Sequence, residues 1–275
     1  MKKYRTVGSV LMAFSVILGL FVFSFFQPGL LMPIDTIRIS IQKAIMTYVG
    51  TTYFDDFNRD ANGNLVAGAD RLDNDELTAY FAMLQTGDIM CTESISYISS
   101  YITPGRWKHS LIFIGNQQQF EQVFSPGDEG YDQILACYAT GEEYLILDST
   151  ASGVTIREFN YISEKMGVTC LKSLTAYHLN QEDDKTRDLI LSAMQYLGMP
   201  YDYDMNTGST DAFYCSELVF DALTAIGIDV NKSTSYVGRT VVTPVDIADF
   251  LTNYISATHV LLLEKSNYRI SNNAC

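Results

Sequence analysis

The stretch Ala212-Phe213-Tyr214-Cys215-Ser216-Glu217-Leu218-Val219-Phe220 decides the reading. Ala212 to Tyr214 is an extended, aromatic lead-in. From Ser216 to Ile226 the residues Leu218, Val219, Ala222 and Leu223 fall on one face of a helix. Cys215 therefore stands at a helix N-terminus. Free backbone N–H groups and the positive end of the helix dipole favour a thiolate there, and they could also receive an oxyanion. An arbitrary cysteine is more often a small core residue, so the rest of the chain must decide between nucleophile and packing.

Outward from the cysteine, the next decisive segment is Arg106-Trp107-Lys108-His109-Ser110-Leu111-Ile112-Phe113-Ile114-Gly115. It places a histidine at the start of an apolar strand that ends in a glycine turn. An imidazole aimed from a strand end can take a thiol proton and return it to a leaving amine, provided a third group fixes its tautomer. The apolar runs Asp88 to Cys91, Ser110 to Ile114, Tyr144 to Leu147, Val154 to Ile156, Val168 to Leu171 and Val260 to Leu263 read as strands. Two helices, Asp184 to Leu197 and Ser216 to Ile226, stand between the last two runs. The class is α+β, with one globular domain over residues 84–275.

The order of these segments resembles the permuted NlpC/P60 cysteine hydrolases of the papain-like superfamily, in particular the YiiX-like branch. The segments are Thr86-Gly87-Asp88-Ile89, Trp107 to Gly115, Leu147-Asp148-Ser149-Thr150-Ala151-Ser152-Gly153-Val154, Gly198-Met199-Pro200-Tyr201-Asp202 and Phe213 to Val219. The resemblance implies a papain-like half-barrel packed on the Cys-bearing helix, circularly permuted so that the histidine precedes the cysteine. It also implies thiol-dependent cleavage of an amide, in a peptide or cell-wall peptide, or of an ester. Some relatives of this fold instead move acyl groups between lipids and acceptors. Cys215 would be the nucleophile and His109 the general base and acid, without a cofactor.

Two carboxylates compete for the third position. Asp148 ends an apolar strand and is followed by a Gly-Val turn, as in the family pattern. Glu121 lies twelve residues after His109, the separation expected of a neighbouring strand in a short hairpin. Alternation favours Asp148, because Tyr144, Ile146 and Asp148 share a face, whereas no clean apolar side marks the Glu121 segment. Asp88 reads as a loop tie, and Glu217 as a group that orients the site or satisfies its own helix end. His178 and His259 read as core-edge or surface residues, and Cys91, Cys137 and Cys170 as inert thiols in apolar surroundings. A non-catalytic envelope-binding module on the same fold is the rival reading.

The N-terminus carries a separate signal. Val7 to Phe26 is a run of twenty residues without a charge, preceded by Lys2, Lys3 and Arg5. At about 1.5 Å per residue it covers roughly the 30 Å hydrocarbon core, and the cations favour a cytoplasmic N-terminus. Residues 1–26 are thus expected to be a cytoplasmic tip and single-pass anchor, with the globular part facing the periplasm or exterior. A cleaved signal peptide is the alternative, although Phe25-Phe26-Gln27-Pro28 lacks a small-x-small cleavage pattern. Residues 27–83 hold an amphipathic docking helix, Asp35 to Val49, with Ile37, Ile41, Ala44, Ile45 and Tyr48 on one face, Asp35 as its cap and Gly50 as its stop. An acidic Asn/Gly-rich loop follows.

Within that loop, Asn58-Arg59-Asp60-Ala61-Asn62-Gly63-Asn64-Leu65 matches the opening of an EF-hand calcium loop. The twelfth position is Ala69, however, so no metal site is assigned. Asp70, Asp73, Asp75 and Glu76 are the acids that could substitute.

The 275 residues carry a net charge of −14, which excludes a nucleic-acid backbone as partner. Without the three N-terminal cations the remainder stands at −17. At 47% hydrophobic and 18% charged the chain can bury a core. Its five cysteines contain no CxxC pair, which leaves out both a disulfide framework and zinc-ligand spacing.

Overall fold

The computed structural model describes residues 2–27, 29–52, 71–95, 97–159, 169–181, 183–205, 211–236 and 239–264, with the side chains of 2–11, 102 and 261 left aside. Six strands, β1 (Ile89–Ser94), β2 (His109–Gly115), β3 (Leu145–Thr150), β4 (Gly153–Glu158), β5 (Leu171–Leu179) and β8 (Ala257–Glu264), form one antiparallel sheet in the order β4-β3-β2-β1-β5-β8. A short ribbon pairs β6 (Thr234–Tyr236) with β7 (Arg239–Val241). The α+β class expected from the sequence is met.

Alternation along the strands sends side chains to two cores. On one face Ile89, Cys91, Ile112, Ile114 and Leu147 pack with Phe213, Leu218, Val219, Ala222 and Leu223 of α8 (Cys215–Ala225) and its lead-in. On the other face Met90, Leu111, Phe113, Ile146, Leu174 and Ala176 pack with Leu77, Tyr80 and Phe81 of α3 (Asn74–Phe81). Leu218, Val219 and Leu223 are fully buried, and each contributes about 1.5–3 kcal/mol, which fixes the helix that carries Cys215.

Several expectations need correction. The strand expected over Val168 to Leu171 instead opens at Leu171 and runs to Leu179, with Val168 outside the described residues. Buried Ser173 and Thr175 break its apolar pattern, although they lie in a strand between β1 and β8. The segment around Glu121 is not a strand. It is α5 (Gln117–Val123), opened by a capping box in which Asn116 Oδ1 accepts from the Gln119 N–H and Gln119 Oε1 accepts from the Asn116 N–H.

The helix expected over Asp35 to Val49 is α2 (Met32–Thr51), with Leu31 at the N-cap and Gly50 inside it. Its orientation is inverted relative to an ordinary amphipathic helix. Asp35 and Arg38 are buried, while Ile37, Ile41, Ile45 and Tyr48 are exposed. Asp35 does not cap the helix but accepts from Ser24 Oγ and from the Gly29 N–H (2.9 Å).

α1 spans Lys2–Phe26. Among the residues whose side chains are described, which in α1 begin at Met12, no helix is long and apolar enough to cross a membrane. The first five residues of the charge-free run, 7–11, lie outside that set.

Residues 53–70, and with them the calcium-like motif, also lie outside the described residues. Two of the acids suggested as its substitutes are otherwise engaged, because Asp73 and Glu76 close the capping box of α3. No group of His, Cys, Asp and Glu among the described residues is placed to hold a metal.

Candidate active site

Cys215 is the first residue of α8, and Tyr214 before it is extended (φ −90°, ψ 166°) with no side-chain cap. The lead-in is pinned on several sides. The Phe213 N–H donates to Pro200 O (3.0 Å), the Asp202 N–H donates to Phe213 O (3.2 Å), and Ser149 Oγ donates to the same carbonyl (2.5 Å). Behind the cysteine, Ser216 Oγ donates to Val242 O (2.8 Å) and the Val242 N–H donates to the Tyr214 hydroxyl (3.2 Å). The thiol, 7% exposed, is thus held at a helix start whose first-turn N–H groups take no bond from the N-cap side chain.

The Gly198 to Asp202 turn that grips this lead-in is itself tied to β4. The Val154 N–H donates to Met199 O (2.9 Å) and the Gly198 N–H to Val154 O (2.9 Å). Gly153 makes this approach possible. Its φ is +90°, and a Cβ there would lie 2.3 Å from Met199 O.

His109 opens β2, and its Nε2–H donates to Asp148 Oδ2 at 2.8 Å. Asp148 shares a face of β3 with Ile146, which packs in the same core as Leu111 and Phe113 of β2, so His109 and Asp148 project to the same side. With Nε2 engaged, Nδ1 is the nitrogen left for sulfur, and His109 is hydrogen-bonded to Cys215.

Asp148 is completely buried and also accepts from Arg157, whose Nε donates to Oδ1 (3.0 Å) and whose Nη2 donates to Oδ2 (2.5 Å). Burial pushes the carboxyl up, but the hydrogen bond and charge of His109, with Arg157 beside them, outweigh it and hold Asp148 below its ordinary value. For Cys215, burial likewise raises the thiol. The charge and hydrogen bond of His109 and the Ser110 N–H outweigh that, and the thiol sits below its ordinary value even with Asp148 pulling the other way. Burial pushes the Cys91 and Cys137 thiols up, and Cys170 is buried as well. Tyr201 stays a neutral phenol, raised far above its ordinary value by burial and by the charge of Cys215.

The structure thus brings Cys215, His109 and Asp148 together and leaves Glu121 out. On α5, Glu121 accepts from Gln117 Nε2 (2.9 Å) and from the Tyr131 hydroxyl (3.1 Å). Asp88 does tie its loop, accepting from the Gln85 N–H (2.9 Å), and it also takes a bond from His178 Nδ1 (2.8 Å). His178 is half-buried at the core edge and paired with Asp88. His259 Nε2 meets Thr175 Oγ1 at 2.7 Å, away from the cysteine. Glu217 is buried in the first turn of α8.

Arg157 and Tyr201 were missed as site residues. Arg157 lies two positions beyond Thr155, the cross-strand partner of Asp148, at a diagonal within reach of a long side chain, a register that only the folded sheet reveals.

Residues 83–265 match the family described as "Permuted papain-like amidase enzyme, YaeF/YiiX, C92 family". A solved structure, that of the metalloprotein yiiX from Escherichia coli O157:H7, is similar over 65% of this chain and 97% of that chain, with 19% identity and a TM-score of 0.44. No curated protein matches the chain.

Proposed function

Because the chain belongs to the permuted papain-like amidase family of the YaeF/YiiX type, and so is a cysteine hydrolase of amide bonds, we propose that it works through Cys215, His109 and Asp148. The observation that carries this reading is the histidine bonded on one side to a thiol at a helix start and on the other to a buried carboxylate.

In the proposed cycle the Cys215 thiolate adds to the amide carbonyl, and the resulting oxyanion is met by backbone N–H groups of the first turn of α8. His109, protonated when the thiol ionised, gives its proton to the leaving amine as the C–N bond breaks, leaving a thioester on Cys215. A water that loses a proton to His109 then cleaves the thioester, releasing the acid and restoring the thiol. Asp148 fixes the tautomer of His109 and stabilises the imidazolium, and Arg157 keeps Asp148 ionised. Membership in a family of enzymes favours this over a non-catalytic binding module.

The proposed substrate is a peptide or cell-wall peptide amide, met outside the cytoplasm by a chain anchored through Val7 to Phe26. Support for the anchor comes from the charge-free run and its cationic flank. The chemistry is tested by intact-mass detection of an acyl adduct on Cys215 during turnover of a panel of peptide amides. The adduct should be absent in Cys215→Ala and in His109→Ala, and turnover persisting in Cys215→Ala would overturn the assignment. The topology is tested by protease added to spheroplasts, which should digest the globular part. Full protection would overturn it.

A further inference from the structure

A helix that packs on a protein in water turns its apolar face inward and its charges outward. α2 instead buries its charged Asp35 and Arg38, beside half-buried Ile34, Met46 and Val49, and leaves an apolar stripe in the open. The polar groups of its inward side are bonded. Arg38 Nε donates to Ser24 Oγ (3.0 Å), and its Nη2 donates to Asp204 Oδ2 (3.1 Å). Gln42 Nε2 donates to Tyr203 O (3.4 Å), and Thr47 Oγ1 meets the Tyr203 hydroxyl (3.3 Å). Arg239 completes the cluster with an ion pair to Asp204 (3.0 Å). The outward stripe Ile37, Ile41, Ala44, Ile45 and Tyr48 carries no charge, and Ile37, Ile45 and Tyr48 are each more than half exposed.

This face is continuous with another. Exposed Phe26, Leu30 and Met32 connect it to the exposed apolar surface of α1. Among the described residues, all the exposed large apolar side chains except Met83, Tyr101, Met199 and Ile255 lie in α1, α2 and the turn between them. An apolar patch of this kind needs a cover, and the segment it adjoins is the charge-free run proposed above as a membrane anchor.

We infer that α2 lies flat in the bilayer surface, with Ile37, Ile41, Ile45 and Tyr48 among the acyl chains and its Arg38–Gln42–Thr47 face gripping Tyr203 and Asp204. The inference rests on the reading of Val7 to Phe26 as an anchor. Tyr48 has the amphipathic ring found at membrane interfaces. The consequence is positional. The Tyr203 ring packs on Tyr201 (5.0 Å between centroids), in the turn bonded to the Cys215 lead-in, so α2 holds the thiol site next to the headgroup layer.

The test uses the full chain in phosphatidylcholine/phosphatidylglycerol vesicles, with Trp107→Phe removing the native tryptophan and a single tryptophan introduced as Ile41→Trp or, as control, Ile255→Trp. Lipids brominated in the acyl chains should quench the Ile41→Trp emission about twofold, as expected for a face buried about 5–10 Å below the headgroups, and leave the Ile255→Trp emission unchanged. Alkaline carbonate extraction reads the anchor separately. Retention of the chain without quenching at position 41 overturns the placement of α2 while the anchor stands. Release with quenching at neutral pH keeps α2 at the surface and removes the anchor. Release without quenching removes both. Retention without quenching but with self-association lost in Ile37→Ser/Ile41→Ser/Ile45→Ser would assign the face to a second copy instead of lipid. Those side chains are exposed, so the triple variant folds.

Discussion

Replacing Asp148 with alanine removes one acceptor from two donors. His109 loses the bond at 2.8 Å that fixes its tautomer, and Arg157 loses both of its bonds to the carboxylate. Breaking a buried ion pair by removing one partner costs about 3–5 kcal/mol. The Arg157 side chain is 30% exposed, so water takes up part of its charge and the expected loss is about 2–3 kcal/mol. For a domain of this size, at about 2–4 °C per kcal/mol, that is a fall in Tm of roughly 5–10 °C. Sequence reasoning alone would foresee little effect on folding, because the arginine partner is not visible there.

Turnover should fall at least about tenfold, since loss of an orienting carboxylate can cost up to about 10⁴. Asp148→Asn keeps the volume and an acceptor, so it should recover much of the Tm while turnover stays low. Glu121→Ala, on the outer helix α5, should change neither by much. The assay is turnover of a peptide amide together with thermal unfolding of each variant. An unchanged Tm and turnover in Asp148→Ala, with the loss falling on Glu121→Ala, would refute this placement.

Gly153→Ala forces a side chain into left-handed backbone and against Met199 O, so it should destabilise by about 1–3 kcal/mol from strain alone and also lower turnover by shifting the turn that grips Phe213. Calorimetry showing a neutral substitution would mean the turn is free to move. His178 is raised by its bond to Asp88, so its stabilisation is complete below the ordinary histidine value of 6.5 and is lost as pH rises through the higher folded value. The Tm gap between the wild type and His178→Gln should therefore be wider at about pH 6 than at about pH 9, and a gap that widened with pH would contradict the pairing. Asp148 is lowered, so its own contribution is present above the ordinary carboxylate value and lost as pH falls through the folded one. Acid unfolding should accordingly begin at higher pH in the wild type relative to its own plateau than in Asp148→Asn, as followed by circular dichroism.

Much of the site was legible because its residues sit at element ends that punctuation marks. Cys215 follows an aromatic lead-in, His109 precedes an apolar strand, and Asp148 precedes a Gly-Val turn. What escaped was set by tertiary partners. Arg157 is distinguished only by its register against Asp148. α5 carried a readable Asn-x-x-Gln capping box, but a spacing argument from His109 overrode it and made Glu121 look like a strand residue. α9 (Pro244–Asn253) had the same kind of signal in Thr243 and Asp246. The α2 pattern gave the helix but not its orientation, because periodicity marks an apolar face without saying whether protein or another medium covers it.

The central claim is that His109 activates Cys215, and its most direct measure is the pH dependence of alkylation at each cysteine, read by peptide mass spectrometry. Burial alone would make Cys215 a slow, high-pH thiol. With the His109 contact it should react at lower pH than the exposed Cys137, and His109→Ala should remove that advantage without changing Cys137. Alkylation of Cys215 and Cys137 over the same pH range, unaffected by His109→Ala, would contradict the account.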